Sequence, residues 1–377
     1  MTARSSAAPP SCRPWPGARS TRRSAPACAR AVATEVEGDI TMTTPLTFTR
    51  AKAAAADFLC VAGVPDGQEP FTPFTRLCRY DAGDAGPVKW FYDDLQVAVT
   101  SIARFTPAPG APTSFCVLSA EGDVVLVRPP FPREKIPGAG ITSPDAERWG
   151  RLARLRPVGD HLYACGDGGQ VYRRVGGDFG AGRWEHLDRS LLQDPEERAR
   201  ALLRAPSSPA AEHKVFYCVD GPREDEIYVT GTRGTILVWD GATFTALPPV
   251  TAAALVSIFV EDEKRIWICG REGTLLRGNR REGFRAVAVS GRRQMFTSIT
   301  RHDGRIYLAS GANPRGLFTY ERGSLRRVST GLVPEIEDAH TVDSVGGALW
   351  VVGSKDIVRL EGSRWERIDH VDNAPIR

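Results

Sequence analysis

Long apolar segments and a strong net charge are both missing from this chain of 377 residues. Its longest apolar stretch runs from Ala252 to Val260 and contains Ser257, whereas a membrane-spanning helix needs roughly 20 apolar residues. Lys and Arg number 49 against 45 Asp and Glu, and the resulting net charge of +4 is too small to indicate a nucleic-acid-binding field. We therefore expect neither a membrane nor a nucleic acid as a partner.

Residue patterns that indicate metal or catalytic chemistry are missing too. No two cysteines have C-x-x-C spacing, and none of the six histidines lies in an H-x-x-x-H or H-E-x-x-H arrangement. No phosphate-binding glycine loop, nucleophile elbow or Ser-His-Asp set is recognisable. We therefore expect no cofactor and no metal, and we assign no catalytic residue.

The cysteines in the body of the chain fit a structural role. Five of these six lie inside predicted strands, where a free thiol behaves as a small buried hydrophobic group. Unpaired thiols are typical of a reducing compartment, so we expect a cytoplasmic protein. The six are Cys60, Cys78, Cys116, Cys165, Cys218 and Cys269.

Residues 1–45 are predicted to be a disordered or non-native extension. They are rich in Ala, Ser, Pro and Arg without an apolar period, so they cannot bury enough surface to offset the entropy of ordering. The codons of Glu37, Gly38 and Asp39 can form a purine-rich ribosome-binding sequence before Met42, which suggests that translation starts at Met42. A targeting tail, such as an organelle transit peptide, is the alternative.

The rest of the chain contains a unit that recurs seven times. Each unit has an apolar strand, a turn, a second strand that ends on a small marker residue, and two further strands. The markers are Gly63, Ser119, Gly166, Gly231, Gly270, Ser310 and Gly353, and the last four are 39, 40 and 43 residues apart. That spacing is typical of a four-stranded propeller blade. Three residues before the markers stand predicted core residues: Cys60, Cys116, Tyr163, Tyr228, Trp267, Tyr307 and Trp350.

These repeats predict an all-β fold, a single seven-bladed β-propeller over residues 46–377. A lone four-stranded sheet cannot bury its two apolar faces, but neighbouring blades in a ring cover both and leave only short edges. The pattern is weaker before residue 140, so six or eight blades stay open. A β-sandwich or two small barrels are the alternatives.

Two insertions interrupt the repeat. Residues 190–205 predict a short helix, with Asp194 as N-cap, Pro195 at the first helical position and Glu197 closing a capping box. The segment from Pro129 to Asp145 is rich in Pro and Gly and is predicted to be an ordered loop or flap. Insertions on a propeller usually decorate one face, so both could shape a binding surface.

The segment from Tyr228 to Phe244, with Trp239-Asp240-Gly241, resembles the WD40/YVTN-like and sialidase-like propeller repeats, especially bacterial photosystem-assembly-factor-like repeats. The resemblance extends over residues 46–377 and implies a propeller scaffold that binds a partner. It specifies architecture more than function, because Trp239-Asp240 is the one Trp-Asp pair and the sialidase Ser-x-Asp-x-Gly-x-x-Trp box is missing.

The predicted function is that of a monomeric, non-catalytic module that binds another protein, such as a toxin, secretion component or enzyme encoded by a neighbouring gene. Its binding face is predicted where one blade connects to the next, because ligands commonly meet propellers there. The alternative is a hydrolase or lyase acting on a glycan or lactone, with Asp93, Asp94, Glu335 and His340 gathered around the central channel. The predicted face residues are Tyr92, Asp93, Asp94, Arg292, Arg293, Gln294, Glu335, Glu337, Asp338 and His340.

Overall fold

The computed structural model describes residues 44–107, 110–289 and 294–377. They form seven antiparallel sheets of four strands, and each sheet consists of strands that are consecutive in the chain. Blade 1 contains β1 (Leu46–Ala55), β2 (Phe58–Pro65), β3 (Thr75–Asp81) and β4 (Trp90–Leu95). Blade 2 contains β5 (Val99–Phe105), β6 (Ser114–Ser119), β7 (Asp123–Leu126) and β8 (Arg133–Lys135). Blade 3 contains β9 (Leu152–Val158), β10 (His161–Gly166), β11 (Val171–Val175) and β12 (Arg183–His186).

The second half of the ring repeats the same arrangement. Blade 4 contains β13 (Phe216–Arg223), β14 (Glu226–Gly231), β15 (Ile236–Trp239) and β16 (Phe244–Ala246). Blade 5 contains β17 (Leu255–Asp262), β18 (Arg265–Gly270), β19 (Thr274–Asn279) and β20 (Gly283–Val289). Blade 6 contains β21 (Met295–His302), β22 (Arg305–Ala312), β23 (Gly316–Glu321) and β24 (Ser324–Arg327). Blade 7 contains β25 (Thr341–Val345), β26 (Ala348–Val352), β27 (Ile357–Glu361) and β28 (Arg364–Arg367).

The seven-bladed prediction is confirmed, and it holds for the weak N-terminal repeats as well. Six of the seven marker residues lie in the second strand of their blade, and Gly353 directly follows β26. The residues three positions before the markers are all buried, from Cys60 at 0% exposure to Tyr307 at 6%. They belong to apolar clusters that each draw on two neighbouring blades, so the core lies between the sheets.

Two glycine markers show why this position is small. A Cβ on Gly270 would lie 2.1 Å from the carbonyl oxygen of Ala254, and a Cβ on Gly231 would lie 2.3 Å from that of Val215. In both blades the chain that enters the first strand passes against the end of the second strand. A side chain there would displace the innermost strand.

The ring closes without an exchanged strand, because the C-terminal segment packs against blade 1. Asn373 exchanges two hydrogen bonds with the backbone of Leu46, at 2.8 and 3.0 Å. The indole of Trp90 donates to the carbonyl oxygen of Asp369 at 2.9 Å. His370 packs edge-on against Phe48 and Trp90. Residues 368–377 therefore tie blade 7 to blade 1.

The predicted helix is confirmed as α1 (Pro195–Arg204), with Asp194 accepting hydrogen bonds from the backbone of Glu196 and Glu197. The predicted flap from Pro129 to Asp145 differs from expectation, since it contains β8, the outer strand of blade 2. Its sequence Arg-Glu-Lys has no apolar alternation, and Glu134 is buried by an ion pair with Arg174 rather than by hydrophobicity. Within the described ranges, no helix is both long and apolar enough to cross a membrane.

The predicted extension, residues 1–45, falls almost wholly outside the described residues, and with it the proposed start at Met42. Both stay predictions. The described cysteines are free and buried, and all six lie in strands.

Candidate functional site

The connections of the propeller fall at two opposite ends of the ring, because consecutive strands in each blade are antiparallel. The second and fourth strands run in the same direction, so the turns after them lie at one end. We call this end the connection face. It carries residues 66–74, 136–151, 187–215, 247–254, 328–340 and the C-terminal segment 368–377.

The exposed apolar side chains are concentrated on the connection face. Nine large apolar residues of the described chain are exposed, and seven of them lie there. Of the other two, Tyr92 lies on β4 and Val88 lies on the opposite face. The seven residues come from six segments and share one face of the ring rather than one contiguous patch, and this face is the first candidate for an interaction surface. The seven residues are Phe71, Ile141, Leu202, Leu203, Val250, Val333 and Val371.

The carboxylate of Glu121 holds the loop that presents Ile141. Its Oε2 accepts hydrogen bonds from the backbone N–H groups of Ile141, Thr142 and Ser143, at 2.9, 2.8 and 3.2 Å. Burial alone would raise the pKa of Glu121, but these hydrogen bonds outweigh burial and lower the pKa. The carboxylate of Glu121 thus fixes the backbone at Ile141, and Lys135 adds a hydrogen bond to Ser143 Oγ at 2.6 Å.

The carboxylate of Glu335 holds the loop that presents Val333 in the same way. It accepts hydrogen bonds from Ser329 Oγ at 3.0 Å, from Thr330 N at 2.8 Å and from Ile336 N at 3.0 Å. Burial would raise the pKa of Glu335, but the hydrogen bonds lower it to about 2. Val333 is 86% exposed at the tip of this ordered loop. An ordered apolar projection loses little conformational entropy on binding.

A basic cavity of about 530 Å³ opens beside Ile141, where blades 2, 3 and 4 are connected. Its lining includes Arg148, Arg151 and Arg198 against a single carboxylate, that of Asp167. The guanidinium of Arg151 also lies 4.1 Å from the ring centre of Phe71. The cavity therefore offers positive charge beside exposed apolar groups.

Phe71 is held in an unusual backbone conformation. Its φ is +63°, in the left-handed region that bulky residues rarely adopt. The ring stays exposed and is covered on one side by Arg151, which belongs to the connection between blades 2 and 3. A strained, exposed aromatic side chain held by a second blade is typical of a binding surface.

A second cavity, of about 500 Å³, opens on the connection face between blades 4 and 5. Arg233, Arg271, Glu212 and Glu272 contribute to its lining, and Arg233 pairs with Glu212 at 2.7 Å. Its two arginines and two glutamates therefore balance in charge. The basic cavity beside Phe71 is therefore the more distinctive of the two.

The central channel forms a third cavity, of about 510 Å³, and residues from the first strands of all seven blades line it. Four basic and two acidic side chains face it: Arg50, Lys52, Arg154, Arg156, Asp220 and Asp343. Arg156 pairs with Asp220 at 3.7 Å, and Lys52 pairs with Asp343 at 2.9 Å.

The predicted position of Tyr92, Asp93 and Asp94 in a blade connection is wrong. They lie in β4, the outer strand of blade 1, because Trp90 extends the strand by packing between blades 1 and 7. Asp93 pairs with Arg79, and Asp94 forms a bidentate pair with Arg76 at 2.8 and 2.9 Å. Tyr92 is exposed beneath the guanidinium of Arg76.

Gln294 is in a blade connection, as predicted, but its side chain is buried. Its backbone carbonyl oxygen accepts a hydrogen bond from Gly273 N at 2.9 Å, and its side-chain amide nitrogen donates to the carbonyl oxygen of Pro314 at 3.5 Å. These contacts hold blades 5 and 6 together. Arg292 and Arg293 lie outside the described residues.

The remaining predicted residues do lie in the connection between blades 6 and 7, but three of them have structural contacts. Glu335 orders its own loop, as described above. Asp338 accepts a hydrogen bond from Ser354 N at 2.8 Å. His340 Nε2 contacts the carbonyl oxygen of Gly353 at 3.1 Å, and its Nδ1 contacts Thr341 Oγ1 at 3.0 Å. Burial lowers the pKa of His340 to about 4. Glu337 is exposed.

The sequence prediction also placed the binding face at the blade connections, but it named charged residues there and none of the exposed apolar ones. Phe71, Ile141 and Val333 stand in Pro- and Gly-rich loops, where an apolar residue without a strand or helix period has no partner. An apolar residue in such a loop was therefore the sequence feature that could have identified these three residues. Arg148 and Arg151 belong to the connection between blades 2 and 3, and Arg198 belongs to the connection between blades 3 and 4, so no local motif contains all three.

Comparison with curated proteins finds one similar sequence, the Immune protein Tsi7 of Pseudomonas aeruginosa. The two are 29% identical over 220 residues, which is 58% of this chain and 65% of that protein. The match thus spans slightly less than two thirds of the relative's length. No family model matches the chain.

Solved structures with a similar fold include the WD40 β-propeller domain of Doa1, with a TM-score of 0.57 and 12% identity over 85% of this chain and 95% of that one. YCF48 from Cyanidioschyzon merolae has a TM-score of 0.54 and 13% identity over 85% and 96%. YCF48 bound to D1 peptide has a TM-score of 0.54 and 12% identity over 88% and 96%. At these identities the likeness concerns the fold alone. The chain is a seven-bladed β-propeller with WD40 and YCF48-like structural neighbours.

Proposed function

We propose that this chain is a monomeric, non-catalytic propeller that binds a protein partner on its connection face, and that the partner is a toxin encoded by a neighbouring gene. The observation that carries the proposal is the concentration of exposed apolar side chains on that face, seven of nine in the described chain. The similarity to a protein named as an immune protein supports the choice of a toxin.

The chemistry of the face indicates the kind of surface that the partner presents. Phe71, Ile141 and Val333 are apolar projections, and the arginine-lined cavity lies beside Phe71 and Ile141. Protein interfaces combine such apolar anchors with a charged surround that selects the partner. We expect the toxin to present an apolar patch next to acidic side chains. The buried free thiols favour the cytoplasm as the place of binding.

The geometry does not favour a propeller hydrolase or lyase. Such an enzyme would need Asp93, Asp94, Glu335 and His340 to converge on one substrate. Asp93 and Asp94 pair with arginines on the outer strands of blade 1, Glu335 orders a loop, and His340 contacts the backbone at the channel. No hydrogen bond or ion pair joins any two of these four described side chains.

The decisive experiment is co-expression of the chain with the product of each adjacent gene. We expect one of these products to arrest growth when expressed alone and to be neutralised by the chain in a stable 1:1 complex. A double substitution Ile141→Asp and Val333→Asp should weaken the complex at least tenfold, because buried apolar anchors dominate interface energies and a charge is costly in their place.

Val88→Asp is the matched control, since Val88 is 52% exposed on the opposite face. It should leave the affinity unchanged within about twofold, and all variants should keep the wild-type thermal midpoint because exposed substitutions change stability little. An equal loss of binding in the double variant and in Val88→Asp would refute the connection face as the binding site. Failure of every adjacent product to bind would refute a neighbouring-gene toxin.

A further inference from the structure

Polar side chains of the central channel lie in two layers that follow the register of the repeat. Arg50 pairs across its blade with Ala62, and Arg154 pairs with Cys165; both partners stand one residue before a marker. Lys52 pairs with Cys60, three residues before its marker. Side chains two residues apart on a strand point the same way, so the channel has a first and a second polar layer. The second layer also contains Arg156, Asp220 and Asp343.

The second layer is electrically balanced and the first is not. In the second layer, the charge of Lys52 is neutralised by Asp343 and that of Arg156 by Asp220. Above, Arg50 and Arg154 face the same cavity without a carboxylate partner in the part of the chain that the structure describes. The excess positive charge of the channel therefore sits in the layer nearer the connection face.

Both arginines of the first layer retain unused hydrogen-bond donors. Arg50 donates through Nε to the carbonyl oxygen of Thr100 and through Nη1 to that of Thr49, both at 2.6 Å. Arg154 donates through Nε to the carbonyl oxygen of Tyr217 at 3.4 Å. Within the described residues, Nη2 of Arg50 and both Nη atoms of Arg154 have no protein acceptor. A guanidinium carries five N–H donors, and its free pair fits an oxyanion.

Hydroxyl groups complete the same layer in blades 5, 6 and 7. Ser257, Ser298 and Thr341 pair with Cys269, Ala309 and Val352, each one residue before a marker, and all three line the channel. The Ser298 hydroxyl already donates to the carbonyl oxygen of Val342 at 3.1 Å. The first layer thus offers the free guanidinium donors and the hydroxyl groups of Ser257 and Thr341.

We propose that the first polar layer is a binding site for a small, doubly charged oxyanion of the phosphate type, held between Arg50 and Arg154. The two guanidinium groups line the same channel and repel each other, and an anion between them would reverse that repulsion. The side chain of Arg50 is exposed to the channel, and the walls of the channel surround it. Burial and the neighbouring Arg154 lower the pKa of Arg50 to about 10. This site is independent of the toxin-binding face.

Calorimetric titration of the phosphate-free chain with inorganic phosphate, at constant ionic strength in chloride, tests the site. We expect saturable binding of one phosphate per chain, competition by sulfate, and much weaker binding of acetate, whose single charge satisfies fewer donors. Arg154→Gln and Arg50→Gln should each raise the dissociation constant at least tenfold, because each removes a positive charge and its hydrogen bonds to the anion.

Arg183→Gln is the control, because Arg183 is 78% exposed on the outer strand of blade 3, and it should bind phosphate as the wild type does. Arg154→Lys keeps the charge without the fork and should bind with intermediate affinity, which separates a lost site from a misfolded variant. Absence of saturable phosphate binding, or an unchanged dissociation constant in both glutamine variants, would overturn the proposal. Equal binding of acetate and phosphate would also overturn the assignment to a doubly charged anion.

Discussion

Glu134 joins two blades through five hydrogen bonds. Its carboxylate accepts two from the guanidinium of Arg174, both at 2.8 Å, and one from the indole of Trp184 at 3.1 Å. The backbone N–H groups of Gly180 and Gly182 donate to it as well, at 2.9 and 3.1 Å. Glu134 belongs to blade 2 and its partners to blade 3 and its outer hairpin. A buried charge is tolerated here because every donor around it is used.

Glu134→Ala should destabilise the protein by about 3–5 kcal/mol, because Arg174 would remain buried without its counter-charge. Urea unfolding at neutral pH measures the change. Glu321→Ala provides the comparison, since Glu321 pairs with Arg305 at 3.3 Å on the surface. An exposed pair contributes less than about 1 kcal/mol. Similar losses in the two variants would mean that burial of the Glu134 pair has no energetic weight.

The carboxylate of Glu335 makes several of the hydrogen bonds that order the connection between β24 and β25, alongside those from Arg327 and Arg367 to its backbone. In Glu335→Ala, the hydrogen bonds from Ser329, Thr330 and Ile336 are lost, and each such bond to a charged acceptor contributes about 1.5–3 kcal/mol at most. We expect amide exchange across residues 328–337 to accelerate at least tenfold while the thermal midpoint falls only slightly. Hydrogen exchange with mass spectrometry gives the local rates.

The loop around Ile141 provides the internal reference for that measurement. It is held by Glu121 and shares no contact with Glu335, so its exchange should not change in Glu335→Ala. If exchange rose equally in both loops, the variant would have loosened the whole ring. If neither loop changed, Glu335 would not order its connection.

Elements with a regular period were predictable from the sequence, and elements held by charge were not. The second strand of each blade combines a buried residue with a small marker, and both are visible in the residue order. β8 escaped prediction because its inward residue is Glu134, which pattern reasoning assigns to solvent. Trp90 was predicted in an outer strand, but the extension of that strand through Asp93 and Asp94 was not, because both look like loop residues until Arg79 and Arg76 on the adjacent strand are placed beside them.

The candidate site was predictable as a face but not as a set of residues. Blade connections must gather at one end of a propeller, and that follows from the antiparallel order alone. The identity of the contacts depends on which loops fold back on the ring. Phe71, for example, meets Arg151 only because a turn of blade 1 reaches the connection between blades 2 and 3.

Three histidines packed at seams of the ring make the whole molecule sensitive to mild acid. His186 lies against Trp149 and Tyr172, His340 borders the channel, and His370 lies between blades 1 and 7. Burial lowers the pKa of each to about 4. Since the ordinary histidine pKa is about 6.5, the unfolded chain binds more protons than the folded one between these values.

Stability should therefore be constant above pH 6.5 and fall as the pH drops towards 4. Chemical unfolding at intervals between pH 7.5 and 4 gives the slope. His370→Phe should flatten it by about one third if the three groups contribute equally, because phenylalanine can pack against Trp90 without binding a proton. A slope that is unchanged in His370→Phe and in His186→Phe would show that these rings do not control the acid response.

Each blade is a contiguous piece of chain, and no strand is borrowed to close the ring. Leu46 and Asn373 share two hydrogen bonds, so the beginning and the end of the propeller lie side by side. A chain that began at any of the seven blades could therefore form the same ring. A circularly permuted chain, joined at these two residues and opened at another connection, keeps every strand pair. In such a permuted protein, the new chain termini can be placed at a connection where they leave the partner-binding residues unobstructed.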